Sequence, residues 1–123
     1  MSLNRESNHI PYCLGRLFAV LEKVQNDASG ASSIKDHYFV SAAAMPASIF
    51  AVLLRLSKSH VKKLKADREG LAIHYEKLIR EIMDKFGEAL PARMTLAEQG
   101  SFQLGYYHQK TALYQKKEDQ ENV

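Results

Sequence analysis

Phe102-Gln103-Leu104-Gly105-Tyr106-Tyr107-His108-Gln109-Lys110 places three aromatics, a glycine, two glutamines and a base where an ordinary surface helix alternates leucines with charges. Its surroundings are helical. Thr95 stands three residues before Glu98, the spacing of a capping box, in which each side chain bonds a free backbone N–H of the first turn. No proline follows. The aromatics therefore sit on a helix, and Gly105 sits in its interior at a cost of about 1 kcal/mol relative to alanine. Either another backbone approaches where a side chain would block it, or the glycine is tolerated. Tyr106 and Tyr107 point about 100° apart, so at least one faces solvent or a partner.

Four more helices are expected upstream. The first spans residues 11–26, opening on Pro11, a good first-turn residue, with Leu14, Leu17, Phe18, Leu21 and Val24 at helical spacing. Small residues 28–33 follow as a connector. The second covers 34–44 and stops at Met45-Pro46, because the residue before proline avoids helical geometry. Pro46 opens the third, 46–66, whose Ile49, Phe50, Leu53, Leu54, Leu56, Val61 and Leu64 give a broad apolar face. A break at residues 67–70 precedes the fourth, 71–86, with Gly87 as its stop. The fifth covers 96–116. Short connectors between amphipathic helices favour a compact antiparallel bundle. The expectation is an all-α fold of about five helices in a single domain over residues 1–123: an extension at 1–9, the bundle at 10–117 and an acidic frayed tail at 118–123.

Composition narrows the function. At 123 residues with 46% hydrophobic content, the chain can bury one core, and no apolar run is long enough to span a membrane. The N-terminus lacks a signal-peptide core, and Cys13 is the single cysteine, so cytoplasmic location is the default expectation. The net charge of +3 is uneven. Glu118, Asp119 and Glu121 lie in the last six residues, leaving 17 basic against 11 acidic residues, or +6, on the first 117. That balance favours an anionic partner.

The third helix concentrates that charge. Arg55, Lys58, Lys62 and Lys65 are spaced by three, four and three residues, within an arc of roughly 80° and a length of about 15 Å. Lys63 and Arg68 lie nearby, opposed only by Asp67 and Glu69. Like charges in line repel by a few tenths of a kcal/mol per neighbouring pair, and an anionic backbone would relieve that repulsion and release counterions. The alternative is a solvated face beside carboxylates of another helix.

No catalytic constellation is legible. His9, His37, His60, His74 and His108 show no His-Glu-x-x-His or Glu-x-x-His spacing. Cys13 sits in an apolar helix, and there is no phosphate loop or nucleophile elbow. The reading is a protein that is not an enzyme and holds no cofactor or metal. Gly15 and Gly105, each flanked by large apolar or aromatic groups, would allow the first and fifth helices to cross closely. The alternative is two independently tolerated glycines.

Three groups of segments, in order, resemble one family. Tyr12-Cys13-Leu14-Gly15-Arg16-Leu17-Phe18-Ala19-Val20-Leu21-Glu22-Lys23-Val24-Gln25 is similar to the start of the C-terminal helical region of the large Cascade subunit of subtype I-C CRISPR systems. Asp36-His37-Tyr38-Phe39, Ala44-Met45-Pro46-Ala47 and Leu53-Leu54-Arg55-Leu56 resemble its middle, and Phe102 to Lys110 its close. The resemblance runs from about Asn4 onward. The large subunit's N-terminal part, which recognises the protospacer-adjacent motif, has no counterpart here. The resemblance therefore points to the small subunit, which in subtype I-C is translated from inside the large-subunit gene; a cloned C-terminal domain would look the same.

The resemblance implies a subunit without catalysis. Its partners would be the Cascade backbone and large subunits, CRISPR RNA, target DNA (chiefly the displaced non-target strand) and another copy of itself. R-loop formation is nearly balanced, so modest contacts to the displaced strand can tip it. Arg55, Lys58, Lys62 and Lys65 meet that need, with Lys63, Arg68, Arg16, Lys23 and Lys110 as further candidates. Gly15, Gly105, Tyr106 and Tyr107 read as bundle or partner contacts, with base stacking as the alternative for the tyrosines. The rival expectation is a protein-bridging bundle that touches no DNA.

Overall fold

A computed structural model describes residues 2–87 and 89–121, with side chains through residue 115. Five helices follow one another: α1 (Ile10–Ser29), α2 (Ile34–Ala44), α3 (Pro46–Asp67), α4 (Glu69–Met83) and α5 (Leu96–Glu121). Among the described residues there is no strand.

The helix ends follow from local chemistry. α1 runs three residues past the expected end, because Gly30 adopts φ +81° and returns its N–H to the Asn26 carbonyl at 2.8 Å. That left-handed conformation suits glycine. The Gln25 side chain then accepts from Ser32 Oγ at 2.9 Å and the Ser33 N–H at 3.0 Å, tying the end of α1 to the start of α2. α4 stops three residues early. Lys85 and Phe86 return their N–H groups three residues back, to Ile82 and Met83, tightening the chain before Gly87 at φ +70°. The capping box forms as expected: Thr95 N–H donates to Glu98 Oε1 at 2.9 Å, and Glu98 N–H to Thr95 Oγ1 at 3.2 Å. α5 keeps helical backbone to Glu121, and residues 122 and 123 of the expected tail lie outside the described residues.

α1 is the central element, packed against all four other helices. α2 runs against it, with Gln25 beside Ile34 and Phe18 beside Phe39. α4 also runs against it: Tyr75 bonds Asp27, and Lys85 reaches Asn8. The antiparallel expectation does not extend to α1 and α5, the most extensively packed pair. Tyr12 meets His108, Arg16 meets Gln109 and Lys23 meets Tyr114, so both helices advance in one direction. α4 runs against α1, and the connector at 84–95 carries the chain back before α5 begins, so first and fifth share a direction.

Phe18 sits at the centre. Phe39, Phe50, Phe102 and Tyr106 surround its ring edge-to-face at centroid distances of 5.3, 6.4, 6.0 and 5.7 Å. Such pairs contribute about 0.5–1.5 kcal/mol each beyond the area they bury. The connector after α4 clasps the α2–α3 junction: Ala47 N–H donates to the Pro91 carbonyl at 3.1 Å, and Met94 N–H to the Ala44 carbonyl at 3.0 Å.

The glycine crossing is present. A Cβ at Gly15 would overlap the Phe102 carbonyl oxygen and lie 2.7 Å from the Tyr106 nitrogen. A Cβ at Gly105 would overlap the Tyr12 carbonyl. Only residues without a side chain let these backbones touch. Tyr106, one residue on, is fully buried and donates to Glu22 at 2.5 Å, while Tyr107 is 49% exposed.

Candidate nucleic-acid interface

α3 buries Phe50, Leu53, Ser57 and Leu64, which fixes its inner face. At 100° per residue, Arg55, Lys58, Lys62 and Lys65 are centred roughly 135° from that face, and all four are exposed. Lys63 is exposed on the same helix, and exposed Arg68 stands at the break where α3 gives way to α4. Among the described residues, the one ion pair of the stripe joins Lys65 Nζ to Glu76 Oε1 at 3.4 Å. The neighbouring-carboxylate alternative thus applies to Lys65 alone.

The stripe borders a groove between α3 and α4 of about 850 Å³. Lys58, Lys62 and Lys65 form one wall; Leu54, Val61, Ile79 and Met83 supply the apolar floor. Arg80 adds a base from α4, with Glu76 and Asp84 as the acids present. Arg55 and Lys63 stand outside the groove. Arg80 escaped the sequence reading because it joins the stripe only through the α3–α4 reversal. The signal available was its position, one residue past apolar Leu78-Ile79 on an amphipathic helix. His60, half-buried near Lys63, has its pKa lowered by desolvation and by that lysine's charge, so it adds no cation at neutral pH.

Three of the basic candidates are engaged inside the bundle, and two of those are closed to a strand. Arg16 is 2% exposed; its Nε donates to Gln109 Oε1 at 2.9 Å, and burial pulls its pKa below the ordinary arginine value. Lys23 is buried, paired with Asp27 at 2.8 Å and 5.1 Å from the centre of the Tyr114 ring. Lys110 is partly exposed, but its ammonium donates to the Tyr106 hydroxyl at 3.1 Å and lies 3.5 Å from Glu22. The physical reason is the central place of α1. A helix enclosed by four others buries polar positions that would face water on a peripheral helix.

Among the described residues, no cluster of three His, Cys, Asp or Glu side chains could hold a metal ion, and no helix is long and apolar enough to cross a membrane. Cys13 is buried, its thiol pKa raised by desolvation.

No curated protein matches the chain. A family model described as CRISPR-associated protein (Cas_Csd1) matches residues 1–114, nearly the whole length. The match agrees in family with the resemblance of the three motif groups and is consistent with a type I-C Cascade component. The chain belongs to the Cas_Csd1 family of CRISPR-associated proteins.

Proposed function

We propose that the chain is a non-catalytic, small-subunit component of the Cascade interference complex, holding nucleic acid through its phosphate backbone to stabilise the opened DNA. The observation that carries this reading is the exposed row Arg55, Lys58, Lys62 and Lys65 on one rigid helix, largely unpaired and joined by Arg80 across the groove. Such a surface attracts phosphates without reading bases. The displaced non-target strand is the substrate that fits it, because a near-balanced R-loop is tipped by sequence-independent backbone contacts. Its neighbours would be the backbone and large subunits, CRISPR RNA and a further copy of the chain.

Mobility or anisotropy titration with single-stranded DNA at graded salt tests this. Binding is expected to fall steeply with salt, with log K dropping by about 0.7 per decade of salt for each phosphate contacted. Lys58→Glu with Lys62→Glu should weaken binding at least tenfold and flatten that slope. Unchanged affinity and slope would remove the stripe from the mechanism.

One observation favours a second role for the groove. Its apolar floor of Leu54, Val61, Ile79 and Met83 has no use in phosphate binding and suits a protein segment with acidic flanks. Ile79→Gln, which removes apolar surface without adding charge, should then lower co-purification with the other Cascade subunits and leave oligonucleotide affinity unchanged.

A further inference from the structure

A second surface lies on α5, away from the basic stripe. Tyr107 and Tyr114 are 49% and 40% exposed. Seven residues apart, they share one face of the helix, about 10.5 Å apart along its axis. A cleft of about 360 Å³ runs between them, lined by Tyr107, Lys110, Thr111, Tyr114 and Gln115. Each ring is fixed by an ammonium group. Lys35 from α2 lies 5.3 Å from the Tyr107 ring centre and donates to its hydroxyl at 3.4 Å. Buried Lys23 lies 5.1 Å from the centre of the Tyr114 ring. Tyr106 packs edge-on against Tyr107 at 5.0 Å.

These two exposed rings are held in place before any ligand arrives, and bases stand among them. Cation–π contacts restrict each ring, so little ordering is left for binding to impose. We propose that this face stacks the unpaired bases of a single-stranded nucleic acid, with Tyr107 and Tyr114 as the platforms and Lys35 and Lys110 beside the linking phosphates. The axial separation equals three stacking steps of about 3.4 Å, a run of two or three nucleotides. Glu22, which pairs with Lys110, and Asp27, which pairs with Lys23, are largely buried and accept from Tyr106 and Tyr75; Asp36, next to Lys35 in sequence, is the exposed acid of this neighbourhood. α3 and α5 both pack on α1. The inference rests on the nucleic-acid-binding reading and adds base contact to a reading that needed only phosphates.

The test compares two labelled strands of equal length, oligothymidylate and a fully abasic phosphodiester, titrated by anisotropy against the purified chain. Stacking predicts that the wild-type chain prefers the base-carrying strand about tenfold or more. Tyr107→Ala with Tyr114→Ala should abolish that preference, and Tyr107→Phe with Tyr114→Phe should keep it. Lys58→Glu with Lys62→Glu should weaken both strands alike and leave the preference intact. Both tyrosines project from the bundle, and circular dichroism checks that the alanine variant stays folded. Equal, salt-dependent binding of the two strands would overturn stacking and leave the backbone reading standing. Binding to neither strand would overturn both. A preference that survives the alanine pair also overturns stacking, and a change of oligomeric mass in that variant would then mark the face as a protein contact.

Discussion

A methyl group at Gly105 would occupy the space of the Tyr12 carbonyl, and one at Gly15 the space of the Phe102 carbonyl. Neither neighbour can swing aside, since both are helical backbone. Gly15→Ala or Gly105→Ala should therefore cost about 2–4 kcal/mol, on the high side of ordinary overpacking, and lower Tm by about 10 °C. Gly70 and Gly100 sit on helices with open space around them. Their alanine variants should gain up to about 1 kcal/mol, the ordinary helix-propensity difference. A calorimetric comparison of the four variants checks both directions at once. The buried phenols make a separate prediction. Desolvation, then hydrogen bonds to Asp27 and Glu22, push the pKa values of Tyr75 and Tyr106 far above the ordinary 10.0. Above pH 10 the unfolded chain releases these protons and the folded chain does not, so the contribution of these two groups to stability is constant below that value and falls as pH rises through it. Phenolate absorbance during alkaline titration should show these two of the six tyrosines ionising only as the fold is lost.

At the scale of one helix, α3 shows what periodicity can and cannot disclose. Most of its inner residues, its outward lysines and its bounds were legible, because one buried face fixes the rotation of everything else on the helix; Leu56, expected inside, is exposed, and Ser57 is buried in the inner face. α1 misled for the same reason. Arg16 and Lys23 stood as further candidates for nucleic acid, yet four helices close around them, and no spacing within α1 announces how many neighbours it has. The line of like charges on α3 also has a cost in the free protein. Lys62→Glu should raise Tm by about 1–2 °C in low salt, a gain of a few tenths of a kcal/mol from relieved repulsion, and the gain should vanish at high ionic strength. The same substitution weakens DNA binding if the stripe serves it. A thermal scan at two salt concentrations, beside the oligonucleotide titration, would show stability and binding moving in opposite senses.

Over the whole molecule, the helix count and the α1–α5 crossing were legible, since capping residues, prolines and two misplaced glycines each leave a local mark. The relative directions of distant helices leave none, and neither does Arg80's place beside the α3 stripe, because both arise only after the chain reverses. Removing α5 by ending the chain at residue 95 should abolish cooperative unfolding. Phe18 would lose Phe102 and Tyr106, and the groove around Gly15 would open to water. Dispersed amide resonances from such a fragment would contradict this. The pairing of α1 with α5 also sets an order in time. Arg16 and Gln109 are partners across 93 residues of sequence, so during synthesis at about 5–20 residues per second the central helix waits on the order of 5–20 s for its chief partner to be made. Until then its apolar sides rest on provisional company, and α5, the last of these five helices to be translated, fixes the final core.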